Sequence, residues 1–241
     1  MSEPVIYEGR DLEAMSFARN YHRWILEIFA PYLGTRLVEV GAGTGSFSEL
    51  LLERGLESLS LVEPSIKMYR LLTKHIEMFQ SDVRITSFNA LFPEVANVIR
   101  AEQKPDSIIY TNVIEHIEDD VGELRTIYET LGEGGRVFIF APALQWLYGS
   151  FDKLVNHQRR YTKSELKGKC EAVGFRVIKA NYFDIAGIFT WLVKYRLLKS
   201  ETMEPGAVEL YDRLVVPLCK FAESIIPPPT GKNVILIAEK T

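Results

Sequence analysis

The chain has 241 residues, a net charge of −4 and a hydrophobic content of 47%, which is sufficient for one α/β enzyme domain with a substantial core. The negative charge gives no general attraction to nucleic acid, and the longest apolar stretch, residues 185–193, is too short to span a bilayer. Cys170 and Cys219 lack metal or redox spacing and the N-terminus lacks a signal-peptide pattern, so we expect a cytoplasmic protein with free thiols.

Helix and strand patterns alternate along the first two thirds of the chain. Apolar residues at helical spacing predict a helix over 11–31. Further strands are predicted at 36–40, 58–62, 83–86, 107–111 and 136–141, and helices at 46–54, 64–79, 92–102 and 119–131. Pro64 is expected to begin its helix, and Pro142 to break the fifth strand. The alternation predicts a doubly wound α/β fold with a mostly parallel sheet and helices on both faces.

The last third of the chain contains a helical insertion before the last strand. A capping box at Thr162 and Glu165 opens a helix that ends at Gly174, and strands are predicted at 175–181 and 233–239. Between those strands we predict two amphipathic helices joined around residues 204–206. The single domain then divides into four parts: an N-terminal helical cap (1–35), a cofactor-binding core (36–182), a lid or insertion (183–230) and the last strand (231–241). Core packing or a dimer face is the alternative to a lid.

The most informative motif is the turn after the first strand, where Glu39 precedes three alternating glycines, Gly41, Gly43 and Gly45. Glycine permits positive φ and a close approach of the backbone to a ligand. Such a turn holds nucleotide-like cofactors in doubly wound folds. The dinucleotide fingerprint requires its third glycine one residue later, where this chain has Ser46. A carboxylate at Glu39 would also repel a pyrophosphate and attract a cation.

Residues 39–45, Glu-Val-Gly-Ala-Gly-Thr-Gly, resemble the first motif of the class I S-adenosylmethionine-dependent methyltransferases at every defined position, with Ala42 inside the loop. The resemblance implies S-adenosylmethionine as cofactor, S-adenosylhomocysteine as product, and about seven strands with the last antiparallel. It covers most of residues 11–182. Residues 157–166 resemble a bacterial subgroup of this family that is found with glycan, lipid and natural-product pathways.

A second acid supports a nucleoside-containing cofactor. Glu63 ends the second strand 18 residues after Gly45, and dinucleotide sites place an acid at about 20 residues to bind the ribose hydroxyls. A carboxylate can accept hydrogen bonds from both hydroxyls at once. Pro64 lies in the same turn and is included in the predicted cofactor site.

Further cofactor contacts are predicted after the third and fourth strands. Asn89, with Ala90 beside it, can meet the adenine amino group through its side-chain carbonyl, although an Asx turn explains it equally well. Asn112 and Val113 begin a segment that resembles the family's Asn/Ser-x-Leu-Glu-His-Ile/Val motif, which implies that their backbone carbonyls line the methionine and the sulfonium. The resemblance also implies that Tyr21 folds over the cofactor, with a core position as the alternative.

Two histidines are candidates for a general base, which is needed if the acceptor is a hydroxyl or a protonated amine. We favour His157, because it lies in a polar loop after the fifth strand, where substrate contacts are common. His116 lies at the mouth of the predicted crevice, but a structural role at a helix start explains it better. No metal site is predicted.

Acceptor contacts are predicted after the fifth strand and in the insertion. Arg159 and Arg160 can clamp a carboxylate or phosphate of an acceptor, and ion pairs with Asp152 or Glu165 are the alternative. Tyr161 is predicted either to face the acceptor or to pack on the following helix. Trp191 belongs to the aromatic-rich insertion, which would suit an apolar, aromatic or lipid-linked acceptor if it forms a lid.

The sequence therefore predicts a methyltransferase that transfers a methyl group in line to an oxygen of a small-molecule, glycan or lipid-linked acceptor. The alternatives are an NAD-dependent oxidoreductase and a non-catalytic cofactor-binding or regulatory protein. No nucleic-acid partner is expected, and the protein is predicted to be a monomer or a homodimer. Lys194, Arg196 and Lys199 permit contact with a membrane surface, which we do not favour from the sequence.

Overall fold

A computed structural model describes residues 18–79 and 81–241 of the chain. Seven strands are formed: β1 (Arg36–Val40), β2 (Ser58–Val62), β3 (Arg84–Phe88), β4 (Ser107–Thr111), β5 (Arg136–Pro142), β6 (Phe175–Phe183) and β7 (Asn233–Lys240). They join in one sheet of order β3-β2-β1-β4-β5-β7-β6. The first five strands are parallel, and β7 runs antiparallel to both β5 and β6. The predicted Rossmann-like, mostly parallel sheet is confirmed, including the antiparallel last strand.

Helices connect the strands and cover both faces of the sheet. They are α1 (Arg19–Phe29), α2 (Ser46–Leu52), α3 (Ile66–Glu77), α4 (Phe92–Glu102), α5 (Asp120–Thr130), α6 (Ser150–Leu154), α7 (Lys163–Val173), α8 (Ile185–Trp191) and α9 (Pro205–Ile225). A π-helix (Leu192–Leu197) continues α8, and three short 3-10 helices cover Ala30–Tyr32, Ile114–His116 and Gln145–Leu147.

Two apolar cores lie on opposite faces of the sheet. Val38 and Ile108 belong to one core, whereas Leu37 and Ile109 belong to the other, because successive residues of a strand point to opposite faces. All four side chains are buried, as expected for parallel strands that carry helices on both sides. This arrangement leaves the carboxyl ends of the strands as the edge where a site can form.

Several boundaries differ from those predicted. The N-terminal helix is described from Arg19 to Phe29, and predicted residues 11–17 lie outside the described part of the chain. Pro64 precedes α3, whose N-cap is Ser65, because the Ser65 hydroxyl can accept the Met68 N–H and proline has no side-chain acceptor. Pro142 ends β5 rather than breaking it, since it pairs with Asn233 in the last ladder position. Helix α6 was not predicted.

The insertion forms two helical segments, as predicted, but they are separated by residues 198–204, and α9 already begins at Pro205. Helix α9 lies along α1, where the Asp212 carboxylate accepts hydrogen bonds from the backbone N–H groups of Asn20 (3.0 Å) and Tyr21 (2.8 Å). Asp212 thus satisfies two of the free N–H groups in the first turn of α1. Glu223 of α9 likewise accepts a bond from the Ile185 N–H at 2.9 Å, at the start of α8. None of the described helices is both long and apolar enough to cross a membrane.

Candidate active site

The turn between β1 and α2 has a conformation that glycine favours. Gly41, Gly43 and Gly45 have φ values of +70°, +58° and +89°, a region that other residues rarely adopt. The Gly41 N–H donates to the Val62 carbonyl at 2.8 Å, which fixes the turn to the end of β2. A Cβ atom on Gly41 would lie 2.4 Å from Cγ2 of Val113. Both the backbone conformation and the close approach of Val113 therefore require glycine here.

A cavity of about 750 Å³ opens at the carboxyl ends of the central strands. The predicted site residues that line it are Glu39, Gly41, Ala42, Gly43, Glu63, Pro64, Asn112, Val113 and His116. Four lining residues are acids, namely Glu39, Glu63, Asp119 and Glu123, and none of the described lining residues is Lys or Arg. A cleft lined by one sign of charge concentrates ligands of the opposite sign, so the cavity suits a cation and disfavours a diphosphate.

Glu63 is held between two turns of the cavity wall. Its Oε2 atom accepts a hydrogen bond from the Gly43 N–H and its Oε1 atom accepts one from the Ser65 N–H, both at 2.8 Å. Burial raises the pKa of Glu63, and these two bonds oppose the rise. Each carboxylate oxygen has a second acceptor site. The side chain is therefore fixed in place and can still accept hydrogen bonds from ribose hydroxyls.

Glu39 is a buried acid at the end of β1. Its Oε2 atom accepts a hydrogen bond from the Ser48 hydroxyl at 2.5 Å. Burial raises the pKa of Glu39 to about 8, with the Ser48 bond acting in the opposite direction. Near pH 7 the carboxyl is thus largely protonated unless a cation lies beside it, because an adjacent positive charge favours the ionised form.

The turn after β4 has an unpaired hydroxyl and a strained residue. Among the described residues, nothing forms a hydrogen bond with Oγ1 of Thr111, which is buried and belongs to the cavity wall. Asn112 has a φ of +53°, and its N–H donates to the Phe140 carbonyl at 2.8 Å. Strained backbone of this kind is held in place by its surroundings and clusters at functional sites. The unpaired hydroxyl is available to a polar ligand.

Asn89 and Ala90 are not among the residues that line the cavity. The side-chain amide of Asn89 donates to the carbonyl oxygens of Glu63 (2.9 Å) and Pro64 (3.1 Å). Asn89 therefore braces the turn that carries Glu63 through its amide nitrogen, and its contact with adenine through the side-chain carbonyl stays a prediction. The wall on this side is formed by residues 91–93.

Tyr21 is a buried core residue, which agrees with the core alternative, and it is not among the described residues that line the cavity. Its hydroxyl lies 3.1 Å from Oδ2 of Asp184 and 3.0 Å from Oδ1 of Asn233, and its ring packs edge-on against Phe183. Helix α1 contacts the cavity through His22, the next residue. Sequence spacing alone could not distinguish these two neighbours, because they point to different sides of α1.

Of the two histidines, His116 lines the cavity as expected, whereas His157 is absent from the described lining. Nδ1 of His157 pairs with Oδ1 of Asp152 at 2.8 Å, and its ring centroid lies 4.7 Å from that of His116. His157 therefore lies behind His116. Burial, reinforced by the neighbouring His157, lowers the pKa of His116 to about 3, so its imidazole is neutral.

Glu115 completes this cluster and was not assigned a role from the sequence, although it precedes His116 in the recognised motif. Its carboxylate is fully buried, lies 3.7 Å from Nε2 of His157, and has no hydrogen-bond partner among the described residues. Burial raises the pKa of Glu115 to about 7. The cluster can therefore exchange a proton near neutral pH. One carboxylate and two imidazoles also match a divalent-metal donor set, but Arg160 already supplies positive charge beside Glu115.

The predicted acceptor clamp is a structural network. The Arg160 guanidinium is buried, donates to Oδ1 of Asp152 at 2.8 Å and stacks 4.6 Å from the ring centre of Trp191. Arg159 pairs with Asp120, and the Tyr161 hydroxyl donates to the same carboxylate at 2.7 Å. None of Arg159, Arg160, Tyr161 and Trp191 belongs to the described cavity lining. The alternative of an ion pair with Asp152 is confirmed for Arg160.

A Rossmann-like sheet with a glycine turn, a fixed acid on β2 and an acidic cavity defines a domain of the S-adenosylmethionine-binding class. The profile of the family described as "Methyltransferase domain" matches residues 13–180. The chain therefore belongs to this family of S-adenosylmethionine-dependent methyltransferases. The unpaired Thr111 hydroxyl and the acidic lining fit that cofactor, and the family favours methyl transfer over the oxidoreductase alternative.

Solved structures share the fold at low sequence identity. A SAM-dependent methyltransferase from Archaeoglobus fulgidus is 21% identical, with a TM-score of 0.61 over 95% of this chain and 99% of that one. An S-adenosylmethionine-dependent methyltransferase from Mesorhizobium loti is 16% identical (TM-score 0.58, 89% and 95%). Phosphoethanolamine N-methyltransferase 2 from Haemonchus contortus, solved with S-adenosyl-L-methionine, is 18% identical (TM-score 0.59, 92% and 52%). No curated protein matches the chain significantly.

Proposed function

We propose that this methyltransferase transfers a methyl group to a hydroxyl oxygen of a small-molecule, glycan or lipid-linked acceptor. The observation that carries the proposal is the pair of His116, which lies in the wall of the cavity, and Glu115, whose pKa burial raises to about 7. A hydroxyl must lose its proton as its oxygen gains a carbon. The low pKa of His116 makes the imidazole alone a weak base, so the ionised Glu115 carboxylate beside it is needed for the imidazole to accept that proton. An acceptor bound in near-attack geometry then needs little further assistance.

The cofactor, when bound, supplies a methyl group on a sulfonium whose departure requires no acid. Backbone atoms of the glycine turn would approach it, and Glu63 would accept hydrogen bonds from its ribose. Glu39 would balance the positive charge of the cofactor, and the Thr111 hydroxyl would be available to the polar groups of its methionine part. These roles agree with the acidic lining of the cavity and with the preference of cations for carboxylate neighbours.

Glu115 supports the proton transfer from behind His116. The ligand atoms of Glu115, His116 and His157 all lie within 4.8 Å of one another. An imidazolium formed at His116 is stabilised by a nearby carboxylate, and the pKa of about 7 at Glu115 places that carboxylate near its titration point in neutral solution. His157 is fixed by Asp152 at 2.8 Å and acts as a positioning residue.

The test is methyl transfer from radiolabelled S-adenosylmethionine to a cell extract, followed by identification of the labelled product. A methyl ether supports the proposal, whereas a methyl ester or a methylated nitrogen or carbon contradicts it. With the identified acceptor, His116→Gln should lower kcat by at least about tenfold and leave the cofactor Kd unchanged. Equal kcat in this variant and the wild type would remove His116 from the mechanism.

A further inference from the structure

The insertion carries most of the exposed large apolar side chains of the described chain. Ten of the sixteen such residues in the described ranges lie between Ile185 and Ile226. The six most exposed of these ten are 65% to 73% accessible: Phe189, Leu197, Leu198, Leu218, Phe221 and Ile226. Exposed apolar side chains concentrated in one segment favour an interaction site over the scattered single residues that are normal on a protein surface.

Helix α9 is apolar on two sides, although only one side is packed. Tyr211 and Val216 face the core beside α1. Leu210, Leu214 and Leu218 recur every fourth residue on a different side and are more than half exposed. A surface helix normally has one apolar stripe, so the second stripe is in excess of what folding of this domain requires.

Positive charge accompanies the exposed apolar residues of α8 and the π-helix. Residues 185–199 contain Lys194, Arg196 and Lys199 and no acidic residue. Arg196 and Lys199 are exposed and flank the exposed pair Leu197 and Leu198. A helix that combines Lys and Arg with Leu, Phe and Trp is typical of segments that lie in the interface of an anionic membrane. Lys and Arg near such a surface are each attracted by its negative potential.

The same charges disfavour a second copy of the chain as the occupant. In a two-fold symmetric dimer each surface patch meets its own copy, so Arg196 and Lys199 would approach identical cations. Within residues 185–226 the acidic residues all follow residue 199: Glu201, Glu204, Glu209, Asp212 and Glu223. Anionic phosphate headgroups instead offer the complementary charge, and acyl chains accept the leucines.

The opposite side of this segment packs against the wall of the cavity. The Tyr195 ring of the π-helix lies 5.0 Å from the Phe151 ring of α6, and the Ser150 hydroxyl donates to the Tyr195 carbonyl at 3.1 Å. Val155 and Asn156, which follow α6, line the cavity. Residues 185–199 therefore contact α6, the element directly before two of the residues that line the cavity.

We propose that the basic and apolar segment 185–199 docks this enzyme on the surface of an anionic phospholipid bilayer. Phe189, Leu197 and Leu198 enter the interfacial layer, and Arg196 and Lys199 bind phosphates. The attachment is peripheral. It does not depend on the identity of the methyl acceptor.

Co-sedimentation with vesicles tests the proposal on the full-length protein. We expect binding to vesicles of equal parts phosphatidylcholine and phosphatidylglycerol, and much weaker binding to pure phosphatidylcholine. Leu198→Glu should lower the partition coefficient at least about tenfold, and Arg196→Gln about fivefold. Met78→Glu is the matched control, because Met78 is 74% exposed but follows α3, outside the insertion; it should bind like the wild type.

Circular dichroism would establish that each variant is folded, since all three positions are exposed. Equal binding to anionic and neutral vesicles, or wild-type binding by Leu198→Glu, would overturn the proposal. A third outcome would also overturn the proposal: the wild type does not bind vesicles but forms a dimer in sedimentation equilibrium, and Leu198→Glu dissociates that dimer. Methyl transfer is measured separately, in an extract without detergent. A failure of the proposed methyl transfer is therefore distinguishable from a failure of the proposed membrane docking.

Discussion

The backbone N–H of Gly43 donates a hydrogen bond to Oε2 of Glu63 at 2.8 Å, which joins the two cofactor motifs of the sequence. One motif belongs to the turn after β1 and the other to the end of β2. Because β1 and β2 are parallel neighbours, their carboxyl ends lie side by side. The bond sets the distance between the glycine turn and the acid, and with it the width of the cleft at this point.

Replacing Gly43 by Val should abolish measurable binding of S-adenosylhomocysteine in calorimetry. Gly43 has a φ of +58° and its backbone forms part of the cavity wall. A branched side chain there strains the backbone, which costs about 1–3 kcal/mol, and occupies space beside the ligand. The Glu63 bond is also disturbed.

Gly134→Val is the matched control for this substitution. Gly134 has a φ of +74°, a similar strain, but a Cβ atom added there meets nothing within 4 Å, and the residue is not part of the described lining. Its ligand affinity should equal that of the wild type. If Gly43→Val binds as tightly as Gly134→Val, the glycine turn does not hold the cofactor.

Glu39 should couple cofactor binding to proton release. Its pKa of about 8 means that the carboxyl is largely protonated near pH 7, and a cationic ligand beside it favours ionisation. Calorimetry at pH 7 in buffers of different ionisation enthalpy should therefore detect proton release on binding. Glu39→Gln should remove this release and weaken binding; the same proton count in wild type and variant would contradict the assignment.

The same residue should lower stability as the pH rises. The pKa of this carboxyl increases from an ordinary 4.5 to about 8 on folding, so the folded state favours the neutral form. The free energy of unfolding should therefore fall as the pH rises through this range, because the unfolded state loses its proton first. Glu39→Gln should raise the free energy of unfolding at pH 8 and have little effect at pH 4, where both states are protonated. Urea unfolding at the two pH values measures this. A loss of stability at pH 8 would count against the raised pKa.

The pH dependence of methyl transfer should follow Glu115. Its pKa is about 7, whereas that of His116 is about 3, so only the first titrates near neutral pH. Protonation of Glu115 removes the charge that stabilises an imidazolium at His116, and kcat should therefore fall as the pH drops below about 7. In Glu115→Gln the fall should disappear and kcat should be low throughout. Retention of the wild-type pH profile in this variant would exclude Glu115.

Arg160 and Arg159 should differ strongly in their effect on stability. The Arg160 side chain is 1% exposed and pairs with fully buried Asp152. Arg160→Ala removes the guanidinium charge and leaves this carboxylate with the His157 ring and the Gly149 N–H, so it should cost about 3 kcal/mol in denaturant unfolding. Arg159 is partly exposed, and its partner Asp120 keeps Lys169. Arg159→Ala should cost less than about 1 kcal/mol. Equal losses would contradict the structural role of Arg160.

Local motifs were predictable because their chemistry and conformation depend on few residues. The glycine turn, the β2 acid and the central strands follow from spacing and apolar periodicity, and the structure agrees with them in position. The side of a helix or loop to which a side chain points was not predictable where residues distant in the sequence determine it. Tyr21 turns into the core because Asp184 and Asn233 accept its hydroxyl, and those residues lie more than a hundred positions away in the sequence.

The histidines show the same limit. A position in a polar loop favoured His157 as the base, but the short helix α6 brings Asp152 beside it and holds it behind His116. A helix of five residues is too short to produce a periodic pattern that would predict it. The sequence likewise predicted that Arg159 and Arg160 bind an anionic group of the acceptor. In the structure each guanidinium already has a carboxylate partner within the protein.

A crystal structure with S-adenosylhomocysteine is the most direct test of the cofactor assignment. The ligand should lie in the cavity with both ribose hydroxyls on the Glu63 carboxylate and its amino group on the side of Glu39. A ligand bound elsewhere, or a cavity that takes up NAD from solution and leaves S-adenosylhomocysteine unbound, would contradict the account.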